Sequence, residues 1–295
     1  MHFGVVVTDF QDWTAKAIRK GFLKCGAEAT FLNFSDISAQ IGESTSICGG
    51  NTDLTRLDGI VVRDLGRSGS HDVAFRYETL CHIEKFGLPI INSPQAIQNA
   101  ANKFATFLAL QKAKLPIPHT TVTTNLDRAK EALSKYETAV SKPLFGYKGR
   151  DLTLLHSDGQ NEDGYLESTL KDRGVIYLQK FLESPTPRDI RAFVVGDLVA
   201  GAIYRIAPRG SWISNLSQGG TVQRCPLTDE IEDMALKASK AVGTTYSGVD
   251  LIETPQGLNV LEVNGTPSGK GIFQAWNVDV GTMIADCIVN KAEDR

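Results

Sequence analysis

Apolar and polar positions change rhythm along the chain. In the first ninety residues, short apolar runs alternate with amphipathic stretches. Residues 3–8 read as a buried strand, and Trp13, Ala17, Ile18 and Phe22 form the i, i+4 stripe of a helix that Gly26 closes. Residues 29–34, 59–63 and 89–92 repeat the strand signal, and residues 72–86 the helical one. This alternation predicts a parallel sheet with helices on its faces. Residues 38–53 are polar and glycine-bearing, and read as a surface loop.

Ser93-Pro94 opens a further helix, with serine as N-cap and proline at the first helical position. The helical pattern runs to about residue 114, where Leu115-Pro116-Ile117-Pro118 stops it. A small mixed unit follows: a helix over 126–136, a strand over 138–143, a turn with glycines, a strand over 152–156, a helix over 165–172 and a strand over 175–181. From Leu182 onward the pattern gives a hairpin around Gly196-Asp197, a helix over 230–242, a second hairpin and a closing helix over 280–291. Three units are expected, at 1–95, 96–181 and 182–295.

Composition narrows the function classes. The 295 residues are 42% apolar, enough for a full core, and 31 basic against 34 acidic side chains leave a net charge of −3. A nucleic-acid binder relying on bulk electrostatics would carry a basic surplus, so nucleic acid is not an expected partner. Cys25, Cys48, Cys81, Cys225 and Cys287 are odd in number, far apart and never spaced C-x-x-C, which predicts reduced thiols rather than disulfides or structural zinc. No apolar run reaches spanning length, Asp197 interrupting the best one, and no signal peptide precedes the first strand. A soluble, cytoplasmic protein without a membrane partner is expected; a homo-oligomer stays open.

The most informative segment is Gly248-Val249-Asp250-Leu251-Ile252-Glu253, the turn Thr254-Pro255-Gln256-Gly257, and Leu258-Asn259-Val260-Leu261-Glu262-Val263-Asn264. Two apolar runs around a turn predict a β-hairpin. With a three-residue loop, Pro255 to Gly257, Thr254 faces Leu258 and Asp250 falls opposite Glu262. Asn264 then shares their face. Two carboxylates across one ladder repel each other, and a hard cation bound by oxygen ligands removes that cost. A register one residue off would instead leave Glu262 solvated on the other face, and the hairpin alone leaves both readings open.

Other segments are weaker. Lys142-Pro143-Leu144-Phe145-Gly146-Tyr147-Lys148-Gly149 ends a strand with a lysine and a glycine turn, chemistry that suits phosphate oxygens. It is not a G-x-x-x-x-G-K-[ST] loop, and Gly265-Thr266-Pro267-Ser268-Gly269-Lys270-Gly271 fails that pattern too. Arg188-Asp189-Ile190-Arg191 and Tyr204-Arg205 place charges at strand ends, where a solvated rim is the ordinary reading. His2, His71, His82, His119 and His156 show no metal spacing, and no strand is followed by G-x-G-x-x-G.

Taken in order, these pieces resemble the ATP-grasp superfamily, and within it the RimK-like α-L-glutamate ligases, from Arg63-Asp64-Leu65-Gly66 to the final helix. The resemblance implies an ATP-grasp fold: an N-terminal α/β domain and two α+β lobes that clamp ATP. It further implies that Lys103 and Lys142 contact ATP phosphates and that the turn from Gly146 to Gly149 is a flap over them. Gln179, Lys180, Phe181 and Leu182 become the adenine hinge, with the Gln179 side chain on the base. Asp189, Arg191, Ser214 and Asn215 become nucleotide-side residues, and Arg205 sits near the transferred phosphate. Asp250, Glu262 and Asn264 become ligands of one or two Mg2+ ions, with Mn2+ as a substitute. Ile213 stands where the family has an arginine, and Tyr147-Lys148 is bulkier and more basic than the usual flap pair.

The activity so implied joins a carboxylate to an amine in two steps, through an acyl phosphate, with ATP and L-glutamate as substrates. Gly265-Thr266-Pro267-Ser268 resembles the branch that modifies pterin or deazaflavin coenzymes, and Arg63, Arg67 and Arg76 cluster after a strand whose carboxyl end is a natural crevice. A small carboxylated acceptor, pterin-type, is therefore expected. The alternatives are ligation to a protein C-terminus or carrier protein, a glutathione-synthase-like or D-alanine ligase activity, and a regulator that binds nucleotide without catalysis.

Overall fold

The computed structural model describes residues 1–66, 70–146, 151–215 and 218–294. Its first third contains β1 (His2–Val6), α1 (Trp13–Lys24), β2 (Glu28–Leu32), β3 (Ile37–Ile41), β4 (Thr45–Gly49), β5 (Thr52–Asp53), β6 (Gly59–Val62), α2 (Ser70–Lys85) and β7 (Ile90–Ile91). The strands β2-β1-β6-β7 pair in parallel, as the alternation predicts. Asp12 caps α1 by accepting from the Ala15 N–H at 2.7 Å, and Gly26, at φ 72°, ends it. The segment expected to be a loop is instead a small antiparallel sheet, β3-β4-β5. Its strands are mostly exposed, with Ile47 turned inward, so cross-strand pairing holds it and no apolar alternation announces it.

The middle third contains α3 (Pro94–Ala101), α4 (Lys103–Lys112), β8 (Thr120–Thr123), α5 (Leu126–Tyr136), β9 (Thr138–Ser141), β10 (Thr153–His156), α6 (Glu162–Arg173) and β11 (Ile176–Lys180). Ser93 caps α3 through the Ala96 N–H. The single long helix expected here breaks at Asn102, whose backbone is extended and whose side chain caps α4 by accepting from Phe104 and Ala105. The strands form an antiparallel sheet, β10-β9-β11-β8, with Leu133, Leu155, Leu166 and Leu178 packed between it and the helices. Strand β8 escapes the apolar pattern because all four of its residues are half-buried.

The last third contains β12 (Arg188–Val195), β13 (Leu198–Ile206), β14 (Thr221–Cys225), α7 (Asp229–Val242), β15 (Tyr246–Thr254), β16 (Gly257–Asn264), α8 (Lys270–Trp276) and α9 (Val280–Glu293). Its antiparallel sheet runs β14-β13-β12-β15-β16. One face, through Ile190, Ala192, Val249 and Leu251, packs on Ala235 and Val242 of α7. The other face, through Phe193, Val195, Ile203 and Tyr246, joins a cluster with Phe3, Phe22, Ile272 and Ile284. The final helix thus packs against the N-terminal sheet. Helices α1 and α9 approach so closely that a Cβ on Gly21 would lie 2.5 Å from the Gly281 carbonyl oxygen.

A buried asparagine ties these layers together. Asn92 accepts from the Thr245 and Tyr246 N–H groups at 2.6 and 3.0 Å, and donates to the Tyr246 and Gly265 carbonyls at 2.8 and 2.6 Å. Arg63 completes the junction, with its guanidinium 3.3 Å from the Tyr246 hydroxyl, which donates to the Val62 carbonyl at 2.6 Å. No helix among the described residues is long and apolar enough to cross a membrane.

Candidate active site

Strand periodicity gathers the charges. Residues two apart on a strand share a face, so Asp189 and Arg191 lie together on β12. Asp189 pairs in register with Arg205 on β13, Arg191 with Asp250 on β15, and Asp250 with Glu262 on β16. The ladder therefore lays a row of alternating charges across the sheet. Arg205 makes a bidentate pair with Asp189 at 2.7 and 2.5 Å and reaches Asp250 at 2.7 Å. Arg191 clamps Asp250 from the other side at 2.6 and 2.7 Å. Ser214 donates to Asp189 at 2.6 Å. Burial alone would raise the Asp250 pKa, but Arg191 and Arg205 hold it below the usual carboxylate range. Arg205, although buried, is raised by Asp250 and Asp189.

Asp250 faces Glu262 as the sequence predicts, by a different route. The loop has two residues, Pro255 and Gln256, so Thr254 pairs with Gly257 rather than Leu258. Continued regularly, that register would set Asp250 opposite Leu261. A bulge intervenes: Leu251 pairs with Val260, and Asp250 with Glu262. Asn264, across from Gly248, lies two residues further along, and its side chain accepts from the Thr266 N–H at 2.9 Å. Asp250, Glu262 and Asn264 are an all-oxygen donor set and fit a hard divalent cation. No three of His, Cys, Asp and Glu converge among the described residues, since the third donor is an asparagine.

Two cavities meet on this face. The first, of about 470 Å³, is lined by Lys103, Lys142, Gly146, Asp189, Asp250 and Ser214. Gln179, Lys180, Phe181, Leu182 and Trp212 also line it. The Phe181 and Trp212 rings stand edge to face at 5.9 Å. The Lys103 N–H donates to the Leu144 carbonyl, which fastens α4 to the stem of the glycine turn. Burial pushes the Lys142 ammonium down to about 8; nearby Glu262 and Asp250 oppose that shift and Lys103 adds to it. Gly149, with Tyr147 and Lys148, lies outside the described residues.

The Gln179 side chain, which lines this cavity, is bonded on both sides. Its oxygen accepts from the Lys142 ammonium at 2.6 Å, and its nitrogen donates to Thr120 at 3.1 Å. The amide is thus engaged in holding Lys142. The Lys180 and Phe181 N–H groups donate to the His119 and Thr138 carbonyls. Among the described residues the Leu182 N–H has no acceptor, so it is the first open donor of the hinge.

The second cavity, of about 480 Å³, is lined by Asp12, Arg63, Arg191, Asn264, Lys270 and Gln274. Gly146, Arg205, Asn215 and Glu262 line both cavities and form the passage between them. Of the three arginines expected at this edge, Arg63 lines the cavity. Arg76 points elsewhere and donates to the Leu65 carbonyl and Asp72, and Arg67 lies outside the described residues. Sequence reasoning missed Trp212, Lys270 and Gln274. The one local signal for Lys270 is the Gly269-Lys270-Gly271 triplet, which does not fit a phosphate loop.

Comparison with known proteins finds relatives along nearly the whole chain. Residues 100–288 match the family model described as the RimK-like ATP-grasp domain. A tetrahydromethanopterin:alpha-L-glutamate ligase of Methanosarcina acetivorans is 41% identical, over 97% of this chain and 98% of that protein. One of Methanococcus maripaludis is 33% identical over 98% of each. Among solved structures, the ATP-grasp ligase PsnB, with a precursor variant, Mg and ADP, superposes with a TM-score of 0.75 at 20% identity over 98% of both chains. A RimK domain ATP-grasp protein of Sphaerobacter thermophilus gives 0.73 at 17% identity, over 98% of this chain and all of that one. At such identities the structures speak for the fold, the ATP-grasp fold. By family match and near-full-length relatives, the chain belongs to the RimK-like ATP-grasp ligases.

Proposed function

We propose that this ligase adds L-glutamate to a carboxylated, pterin-type acceptor of the tetrahydromethanopterin class, with ATP cleaved to ADP and phosphate. The observation that carries the reading is the pair of cavities joined through Gly146, Arg205, Asn215 and Glu262. One suits a nucleotide and the other two small substrates, and the reacting groups meet at the passage. The names of the two near-full-length relatives point to the same acceptor.

In the first step an acceptor carboxylate oxygen attacks the γ-phosphorus and the bond to ADP breaks. In the second, the glutamate amine attacks the carbonyl carbon of the acyl phosphate, loses a proton, and phosphate leaves. Lys103 and Lys142 hold the phosphates from two separate elements, and Arg205 places fixed charge where negative charge grows. The hinge around Leu182, with Phe181 and Trp212, takes the base. Asp250, Glu262 and Asn264 would hold Mg2+, which supplies positive charge to the phosphate oxygens, with Mn2+ as a replacement. Such an ATP-consuming enzyme works in the cytoplasm.

The test is incubation with ATP, Mg2+, L-glutamate and either tetrahydromethanopterin or a glutamate-ended peptide. ADP release with one glutamyl residue added to the pterin is expected. Mass added only to the peptide would reject the acceptor, and no transfer to either would reject the activity.

A further inference from the structure

Lys270 and Gln274 lie one helical turn apart on α8, so both face the second cavity. The helix behind them is fixed. The Gly269 N–H donates to the Thr14 hydroxyl at 3.0 Å, and a Cβ on Gly269 would lie 2.3 Å from a Val280 methyl. Ile272 is buried in the core shared with α1 and α9, Phe273 packs on Trp13, and the Trp276 indole donates to the Ala202 carbonyl at 2.7 Å. The opposite side of α8 is left to the cavity.

The charges around that cavity are unequally committed. Arg191 and Arg205 are held by Asp250 and Asp189, and Arg63 is shared between Asp12 and Tyr246. Among the described residues the Lys270 ammonium and the Gln274 amide have no partner. Both line the second cavity alone and stand away from the passage where the chemistry occurs. They are therefore placed to read a part of a substrate that does not react.

We infer that Lys270 and Gln274 form the subsite for the side-chain carboxylate of L-glutamate, and so set the choice of amino acid. The inference rests on the function proposed above. The acceptor's carboxylate is consumed at the passage, whereas both glutamate carboxylates survive the reaction and need a partner throughout. The α-carboxylate is one carbon from the attacking amine and stays near Arg205 and Asn215. The side-chain carboxylate lies farther out, towards the α8 wall. With Arg191 held by Asp250 and Arg63 shared with Asp12, the Lys270 ammonium, unpaired among the described residues, is the lining cation open to it. A lysine suits this role as a compact point charge, and the amide of Gln274 adds a second donor.

Steady-state kinetics of wild type, Lys270→Gln and Lys270→Arg, with ATP, Mg2+ and tetrahydromethanopterin, test this. Lys270→Gln is expected to raise KM for L-glutamate roughly tenfold or more, the size of one charge-assisted hydrogen bond, while KM for ATP stays put. The preference for L-glutamate over L-glutamine should collapse in Lys270→Gln and return in Lys270→Arg. An unchanged KM for glutamate, or a rise in the pterin KM instead, overturns the inference and leaves the proposed function standing. A wild-type enzyme that transfers no glutamate defeats the proposed function, and this subsite falls with it.

Discussion

Asp250 stands directly opposite Glu262 because a bulge between Leu251 and Asp250 corrects for a turn that is one residue tight. The two carboxylates differ in circumstance. Asp250 is buried and neutralised by two arginines, whereas Glu262 borders both cavities with no ion pair among the described residues. Glu262 is thus the carboxylate already free for a cation. Glu262→Gln removes its charge without disturbing a packed pair. It is expected to lower glutamate-dependent ADP release by about two orders of magnitude, the usual cost of a main electrostatic stabiliser. Turnover and Mg2+ dependence like those of the wild type would refute the role.

Arg191 supports Asp250 in a different currency, that of stability. Arg191→Met deletes two of the three guanidinium bonds to a buried carboxylate. Removing one partner of a buried pair costs about 3 kcal/mol or more. The depressed Asp250 pKa fixes the sign of the pH dependence. Its contribution is present above the ordinary carboxylate range and is lost as pH falls through the lowered folded value. Urea unfolding across acidic pH should therefore show a steep acid limb in the wild type and a shallower one in Arg191→Met. Equal stabilities and equal acid limbs would contradict this.

Much of the fold was legible because its strands and helices carry their own periodicity. The parallel N-terminal strands, the Gly196-Asp197 hairpin and the Ser93 cap all read directly from pattern. The β3-β4-β5 sheet did not, since polar exposed strands leave no apolar alternation. The site was half legible. Lys103, Lys142, Arg205, Asp250 and Glu262 do converge. The Arg191–Asp250 and Arg205–Asp189 clamps depend on register across three strands, which no local motif encodes. The Gln179 contacts are illegible for the same reason: its partners Lys142 and Thr120 are distant in sequence. Asn92 gave no local sign of its four long-range bonds.

Those four bonds make Asn92 a strong structural test. Asn92→Ala strips the Thr245 and Tyr246 N–H groups of their shared acceptor and two carbonyls of a donor, all near the strand that carries Asp250. Unsatisfied buried groups cost about 1–3 kcal/mol each, so a loss of at least about 3 kcal/mol is expected. Thermal unfolding would measure it. A melting temperature within a degree or so of the wild type would show that these groups find other partners.

Lys142 is expected to make nucleotide binding depend on pH. Its ammonium is pushed down to about 8 from an ordinary 10.5, chiefly by burial. Between those values the folded apo protein binds fewer protons than the unfolded chain, so Lys142 makes apo stability rise with pH across this window. Nucleotide acts in the opposite direction. A phosphate beside Lys142 favours the ammonium, so above about pH 8 ADP must bind together with a proton. In magnesium-free buffer the ADP dissociation constant is expected to be flat below about pH 7.5, then to rise by up to about tenfold per pH unit above 8. Calorimetry in two buffers of different ionisation enthalpy should show proton uptake at pH 9 and almost none at pH 7. Lys142→Met should bind ADP more weakly, without that alkaline limb and without that uptake. If the variant keeps the limb, the titrating group is elsewhere and Lys142 does not hold the phosphates. If the wild type shows no limb, the ammonium does not face them.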